Sequence, residues 1–177
     1  MNPIKIISFF LLAIAFFIGG EFLYKKNNLS EVKNYNNGKL ENLSDGILKS
    51  DNTKILRLSF NKITSLPSQI GNLSNVEEFY VDNNKLTGSL PGEIRKMTKL
   101  RILDASYNQL SGIPAEIGQL KYLEELNLEG NIINTMPNEI ANIKDNLLIL
   151  NLSGNPYTLD QINTIQKSLP KTKIIFK

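Results

Sequence analysis

Hydrophobic and polar positions repeat along the chain at intervals of 23 or 24 residues. Each repeat contains a short stretch in which apolar side chains alternate with variable ones, as in ILRLSFN, the segment that ends at Asn61. Alternation with a period of two is typical of a β-strand that buries one face. A fixed interval of this length predicts similar supersecondary units that stack and bury their apolar faces against one another. The asparagines that mark the interval are Asn61, Asn84, Asn108, Asn131 and Asn155.

Five segments align on these asparagines: TKILRLSFNKI, VEEFYVDNNKL, LRILDASYNQL, LEELNLEGNII and LLILNLSGNPY. The first four continue with an apolar residue, a proline, two variable residues and two apolar residues three positions apart. Thr53 and Ala105 replace leucine in units one and three, and the last unit breaks off at Pro156. The pattern resembles the leucine-rich repeat, L-x-x-L-x-L-x-x-N-x-L, in which atypical first and last units are expected of capping repeats. Repeats are expected at about 53–75, 76–99, 100–122, 123–146 and 147–157.

The resemblance implies an α/β solenoid: a short leucine-rich-repeat horseshoe with a parallel β-sheet on its concave side. It also implies that the five asparagines form a structural ladder of amides inside the turn after each strand. Proline follows Leu66, Leu90, Ile113 and Met136. Because proline fixes φ and disfavours regular helix, irregular turns are expected on the convex side.

Segments that flank the repeats have the features of caps. Residues 40–50 (LENLSDGILKS) carry apolar side chains at helical spacing, which predicts an N-terminal helical cap. Thr158 is a candidate N-cap for a helix with Leu159, Ile162 and Ile165 on its apolar face. Pro170 would end this helix, and the apolar residues after it predict a last strand. Residues 158–177 are therefore expected to form a helix-strand cap, which the resemblance to small bacterial members of the family also implies.

Alternation places a second set of side chains on the exposed face of the predicted sheet. This face carries five acidic residues and one basic residue, although the chain has a net charge of +3. Its aromatic residues are of the kind enriched at binding hot spots. The predicted binding residues of this concave face are Arg57, Phe60, Glu78, Tyr80, Asp82, Asp104, Tyr107, Glu125, Asn127 and Glu129.

Basic residues gather on the connection between units two and three, at Arg95, Lys96, Lys99 and Arg101. A basic run in a connection is typical of a solvated edge. The alternative is contact with an anionic membrane or cell-wall polymer.

The N-terminus carries an uncharged apolar run, residues 6–20 (IISFFLLAIAFFIGG), directly after Lys5. A positive start followed by a short apolar core predicts a secretory signal peptide, or an uncleaved signal-anchor helix if the span continues to residue 24. Both alternatives predict that the rest of the chain is extracytoplasmic, either secreted or membrane-anchored. Residues 25–39 are polar and rich in asparagine, which predicts a tether before the repeat domain at 40–177.

The chain has neither cysteine nor histidine. This composition excludes disulfides, thiolate or imidazole metal sites and Ser-His-Asp or Cys-His catalysis. The small net charge, with scattered carriers, argues against a nucleic-acid partner. No cofactor is expected.

The favoured interpretation is a monomeric, non-enzymatic binding module whose concave face takes a protein or glycan partner. Two alternatives stay open: a structural cell-surface spacer without a specific ligand, and a carboxylate-based hydrolase. In the second alternative, Asp82 and Asp104 would form a close pair in the manner of glycosidases. An open face offers little desolvation to separate the pKa values of two carboxyl groups, which argues against this alternative.

The apolar run predicts a topology that a fusion protein can test. An enzyme active only in the cytoplasm, fused after Lys177, should show no activity because export carries it out of that compartment. Full activity of the fused enzyme would contradict the prediction of export.

Overall fold

The computed structural model describes residues 16–18, 21–23, 31–49 and 52–177. The described strands are β1 (Phe16–Ile18), β2 (Glu21–Leu23), β3 (Val32–Asn34), β4 (Ile55–Arg57), β5 (Glu78–Tyr80), β6 (Thr87–Ser89), β7 (Ile102–Asp104), β8 (Gln109–Gly112), β9 (Glu125–Asn127), β10 (Ile149–Asn151) and β11 (Lys173–Ile175). The main element is a parallel sheet of seven of these strands, in the order β11-β10-β9-β7-β5-β4-β3, so that successive units lie side by side. The solenoid predicted from the repeats is thereby confirmed.

The side opposite the main sheet consists of short 3₁₀ helices, each of which starts directly after a proline. Proline suits this position because its ring fixes φ near the values of −65° to −75° that the residue before each helix adopts. Strands β6 and β8 pair in parallel and form a separate two-stranded sheet. In the sequence, each of them lies between a strand of the main sheet and the 3₁₀ helix that follows it. The irregular convex side expected from the prolines is confirmed. The 3₁₀ helices are Ser68–Asn72, Gly92–Lys96, Ala115–Gln119 and Asn138–Ile143.

The core is one continuous cluster that runs through all the units. The middle residue of each central strand is fully buried, and strand pairing stacks these residues in line from unit to unit. Each such side chain contributes about 1.5–3 kcal/mol of gross burial free energy. The stacked residues are Leu56, Phe79, Leu103, Leu126 and Leu150.

Side-chain amides of the repeated asparagines join neighbouring units, as the ladder requires. The Nδ2 of Asn108 donates to the carbonyl oxygens of Ala105 and Ser106 in its own turn, at 3.1 and 3.0 Å, and to that of Val81 in the preceding unit, at 3.1 Å. Its Oδ1 accepts the backbone N–H of Leu86 at 2.9 Å. Asn61, Asn84, Asn131 and Asn155 repeat this arrangement.

The structure corrects the predicted tether, because β3 belongs to the main sheet. Val32, Lys33 and Asn34 pair in parallel with Ile55, Leu56 and Arg57, so part of the segment 25–39 forms an additional, degenerate unit. The repeat pattern does not reveal this unit because Lys33 stands where the other units carry a buried apolar residue. The tether prediction is wrong for the residues from 31 onward.

The N-terminal cap is shorter than its helical spacing predicts. Only Asp45–Leu48 forms a helix, α1, and it buries Ile47 and Leu48. Leu40 and Leu43 pack against the core without helical structure. The N-terminal side of unit one is nevertheless covered by this segment and by β3.

The C-terminal cap is the helix and strand expected from the sequence. Helix α2 spans Leu159–Ser168, starts at a capping box formed by Thr158 and Gln161, and buries Ile162 and Ile165. Strand β11 then pairs in parallel with β10. The predicted apolar face of this helix is wrong at one residue: Leu159 is 68% exposed and does not belong to the buried face.

Most of the predicted signal or anchor segment, residues 1–24, lies outside the described residues. The described part of this segment consists of β1 and β2, whose backbones pair antiparallel. Within the described ranges, no helix is both long and apolar enough to span a bilayer. The choice between a signal peptide and an anchor stays a prediction.

The ladder predicts that removal of one asparagine side chain lowers the stability of the fold. Asn108→Ala should lower the free energy of unfolding by about 1–3 kcal/mol, because buried backbone groups on two units lose their partners. Chemical denaturation measures this change.

The matched control is Asn163→Ala on the exposed side of α2, which should change stability by less than about 0.5 kcal/mol. Asn36, in the supposed tether, is unsuitable as a control because its Oδ1 accepts the N–H of Ser59 at 2.8 Å. An unchanged midpoint for Asn108→Ala would contradict the assignment of the ladder as a stabilising element.

Tyr157 predicts a pH dependence at the C-terminal cap. Its hydroxyl is buried without a hydrogen-bond partner among the described residues, and burial raises its pKa to about 12. An unfolded tyrosine titrates near 10, so the folded state retains the proton between about pH 10 and 12. This group's contribution to stability is therefore complete below about pH 10 and falls as the pH rises toward 12.

Tyr157→Phe should remove this titration and so flatten the decline of stability above pH 10, as measured by thermal unfolding of both proteins across this range. At neutral pH it should leave stability unchanged or raise it by up to about 1 kcal/mol, because no hydrogen bond is lost. Tyr122→Phe, at a side chain 65% exposed, is the control. A loss of stability at neutral pH would show that the Tyr157 hydroxyl has a partner.

Candidate protein-binding surface

Strand pairing brings the predicted binding residues onto one face of the main sheet. Arg57, Tyr80, Asp104 and Asn127 stand side by side on successive strands, and Glu78 and Glu125 flank Ile102 in the neighbouring row. Asp82 and Glu129 follow their strands by two residues, and Phe60 and Tyr107 follow theirs by three. All ten lie at least partly open to solvent on or beside this surface, called here the concave face.

An ordered cluster occupies the N-terminal part of the concave face. The guanidinium carbon of Arg57 lies 4.4 Å from the centroid of the Tyr80 ring, a cation–π distance. The Tyr80 hydroxyl donates to Glu78 Oε2 at 2.9 Å. Partial burial, then the hydrogen bond to Glu78, raises the pKa of Tyr80, while the charge of Arg57 opposes the increase. The three side chains thus hold one another in place.

Asp82 is fixed by two neutral donors. Ser59 Oγ donates to Asp82 Oδ1 at 2.5 Å, and Asn83 Nδ2 donates to Asp82 Oδ2 at 2.8 Å. Ser59 is buried beneath this carboxylate, although strand alternation assigns it to the exposed side. The carboxylate therefore lies at the surface while its orientation is set from below.

A hydrogen-bonded chain extends across the C-terminal half of the face. Asp104 Oδ1 accepts both the N–H and the hydroxyl of Ser106, at 3.0 and 2.6 Å, while Asp104 Oδ2 accepts from Asn127 Nδ2 at 3.0 Å. Asn127 Oδ1 in turn accepts the N–H of Glu129 at 3.2 Å. Ser106 is buried like Ser59. The sequence Asp-x-Ser predicts the bond between Asp104 and Ser106, because a short polar side chain readily accepts from the backbone N–H two residues later.

Glu129 links this series of hydrogen bonds to the edge of the concave face. Its Oε2 accepts from Asn151 Nδ2 at 3.0 Å, and its Oε1 accepts from the Tyr107 hydroxyl at 2.5 Å. The hydrogen bond to Glu129 is the main cause of the raised pKa of Tyr107. Asn151 was not among the predicted binding residues, although it occupies the same row as Asp104 and Asn127.

The carboxylates of the concave face have no ion-pair partner within the described part of the chain. The ion pairs found there join other acids: Lys54 to Glu31, Arg95 to Glu116, Arg101 to Glu124 and Lys171 to Asp145. Four of the five acids of the face instead accept from hydroxyl and amide groups, which orient a carboxylate without neutralising it: Glu78, Asp82, Asp104 and Glu129. The face consequently carries negative charge on a protein that is net positive.

The basic connection differs from this face because two of its four charges are in ion pairs with carboxylates. Arg95 and Arg101 are in the ion pairs given above, and Lys99 Nζ donates to Asn75 Oδ1 at 2.9 Å. These local contacts favour a solvated edge over contact with an anionic membrane or polymer as the interpretation of this segment.

The described residues offer no group of three or more acidic side chains that could hold a metal ion. Two hollows lie away from Asp82 and Asp104: a polar one of about 200 Å³ beside Lys54 and Glu77, and one of about 310 Å³ beside Met136, Tyr157 and α2. The two carboxylates proposed for hydrolysis thus stand on an open surface and outside both hollows.

Comparison with known proteins agrees with the repeat architecture. The family described as "Leucine rich repeat" matches residues 51–110, and "Leucine Rich repeats (2 copies)" matches residues 98–144. The chain matches none of the curated proteins with which it was compared.

Solved structures with the same architecture include bacterial and plant proteins. A leucine-rich-repeat protein of Leptospira interrogans is 41% identical with a TM-score of 0.65, over 70% of this chain and 32% of that protein. The plant peptide hormone receptor RGFR1, in complex with RGF2, is 28% identical with a TM-score of 0.59, over 71% and 21% of the two chains. The Arabidopsis receptor kinase HAESA, in complex with the peptide hormone IDA and the co-receptor SERK1, is 38% identical with a TM-score of 0.54, over 60% and 18%.

The chain therefore spans about a third of the length of the Leptospira protein and about a fifth of each receptor. What it shares with them is the stack of units and the sheet on which the candidate surface lies. With its asparagine ladder and both family matches, the chain belongs to the leucine-rich repeat family.

Proposed function

We propose that this chain is an extracytoplasmic protein-binding module and that its partner lies along the concave face. The observation that carries the proposal is the ordered row of polar and aromatic side chains across the central strands. Arg57 with Tyr80, and Asp104 with Asn127, are held by neighbours of the same face before any partner arrives. Side chains that are already ordered lose less conformational entropy on binding, so this arrangement favours recognition.

The related receptors support a protein partner. RGFR1 and HAESA were solved with peptide hormones bound to them. An extracytoplasmic setting is proposed for this chain from the apolar run after Lys5. Caps cover both ends of the apolar core, α1 at one end and α2 at the other, which supports action as a monomer.

Hydrolysis is the weaker candidate. A general acid needs a carboxyl group whose pKa is raised by a desolvated site, while its partner stays ionised. Asp82 and Asp104 instead both lie on an open face, where each accepts hydrogen bonds from neutral donors and neither is enclosed in a desolvated site. Binding without catalysis is accordingly the function that the face supports best.

A displayed library of 12-residue peptides, selected on the full chain, supplies a defined probe for this proposal. Tyr80→Ala should weaken binding of the selected peptides by about thirtyfold, the effect of losing about 2 kcal/mol at a central anchor. Asp104→Asn should weaken binding because it removes the charge and the hydrogen bond from Asn127, while it keeps the cap on Ser106 that asparagine already makes at Asn127 and Asn151. Calorimetric titration measures both changes.

Lys144→Glu, an exposed residue just after the last 3₁₀ helix, is the control and should leave affinity within about twofold. If changes at Lys144 or at Arg95 and Lys96 abolish binding while Tyr80→Ala does not affect it, the binding surface lies on the basic side of the molecule and not on the concave face. Selection of no peptide, together with binding on a glycan array, would replace the proposed protein partner with a glycan.

A further inference from the structure

One position in each unit has a backbone conformation that most residues avoid. Three residues after each of the first six strands of the main sheet, the backbone adopts a positive φ, between 51° and 70°. The N–H at this position donates to a carbonyl oxygen of the next unit, from Asn37 to Ser59 at one end and from Gly154 to Lys177 at the other. The stacking of units therefore imposes this conformation whatever side chain is present. The residues are Asn37, Phe60, Asn83, Tyr107, Gly130 and Gly154.

Four of these six residues are glycine or asparagine, which tolerate a left-handed backbone. Phe60 and Tyr107 are bulky aromatic residues, for which such a φ is strained. They also gain little from burial, since Phe60 is 55% exposed and Tyr107 is 51% exposed. Neither the backbone nor the core accounts for an aromatic residue at these two places, and strained residues of this kind concentrate at functional sites.

The two rings lie along one edge of the concave face, two strands apart. With neighbouring strands about 4.8 Å apart, their Cα atoms are separated by about 10 Å, and Asn83 lies between them. Tyr107 is held against the next unit: a Cβ on Gly130 would lie 2.8 Å from the Tyr107 ring, and the Tyr107 hydroxyl donates to Glu129. Phe60, Asn83 and Tyr107 together are called the aromatic rim.

The chemistry beside the aromatic rim is anionic. Asp82 immediately precedes Asn83, and its carboxylate accepts from Ser59 and Asn83 without an ion-pair partner in the described part of the chain. An aromatic face next to an unneutralised carboxylate suits a cation that stacks on the ring and pairs with the acid. The same face already holds such a contact within the chain, where Arg57 lies over Tyr80.

We infer that the aromatic rim binds an arginine side chain in an extended segment of the protein partner, with the guanidinium stacked on Phe60 or Tyr107 and paired with Asp82. Arginine fits better than lysine because its planar group can stack on a ring while its N–H groups meet both carboxylate oxygens. This inference rests on the proposed function and adds to it the chemistry of the recognised residue and the edge at which it binds.

The test uses peptides selected from the 12-residue library on the full chain. These peptides should be enriched in arginine, and replacing the essential arginine by its uncharged analogue citrulline should weaken binding at least tenfold. Phe60→Asn and Tyr107→Asn should each weaken binding at least tenfold, although they leave every charge of the face in place. Asp82→Asn should weaken it as well.

Thermal unfolding separates recognition from structure. Phe60→Asn should melt at or above the temperature of the wild type, because asparagine tolerates the left-handed backbone already seen at Asn37 and Asn83. Tyr122→Ala, which removes an exposed aromatic side chain outside the concave face, should leave affinity within twofold. A Phe60→Asn variant that melts well below the wild type would assign the ring a structural role and overturn the inference.

The outcomes also distinguish this inference from the proposed function. Binding that is lost in Tyr80→Ala but kept in Phe60→Asn and Tyr107→Asn overturns the inference and leaves the proposed function standing. Selected peptides that lack arginine, or tolerate citrulline, do the same. Binding indifferent to every change on the concave face, or selection of no peptide at all, overturns both.

Discussion

The asparagine amides after each strand are the contact on which the rest of the fold depends. Buried carbonyl and N–H groups of the backbone need hydrogen-bond partners, and the turn after each strand contains such groups. The Nδ2 of Asn108 meets three carbonyl oxygens and its Oδ1 meets the N–H of Leu86, so one side chain satisfies groups on two units. Repetition of this bond spaces the units evenly and stacks Phe79 on Leu103 in the core.

The ladder also determines what the concave face can carry. Once the turn is held, the strand before it presents alternate side chains outward, and the residue before each asparagine takes a positive φ. The outward positions are free to vary because core packing does not constrain them: Arg57, Tyr80, Asp104 and Asn127 occupy the same row. Structure and recognition therefore use different residues of the same short segment, and a change in one need not disturb the other.

Sequence alone could predict those features that follow from period and residue type. Alternation around Leu56 and Leu58, together with Asn61, suffices to predict a strand, its buried face and its turn, and the structure confirms the solenoid. The degenerate first unit was not predicted because Lys33 and Gly38 stand where the other units carry an apolar residue and an asparagine. Backbone pairing of β3 and the side chains of Asn36 and Asn61 nevertheless join it to unit one. The exposure of Leu159 escaped because helical spacing does not specify which end of an apolar stripe reaches the core.

The candidate site was predictable as a set of residues but not as a network. Alternation assigns Asp104 and Asn127 to one face, yet their hydrogen bond depends on strands pairing without a shift, and that alignment is set by the core and the ladder. Ser59 and Ser106 show the reverse case: their outward positions suggest exposure, but each is buried because it donates to the carboxylate above it. A carboxylate oriented by a neutral donor retains its charge, whereas a carboxylate in an ion pair does not present it to a partner. The buried serines thus orient two of the acids of the concave face, Asp82 and Asp104, toward a partner.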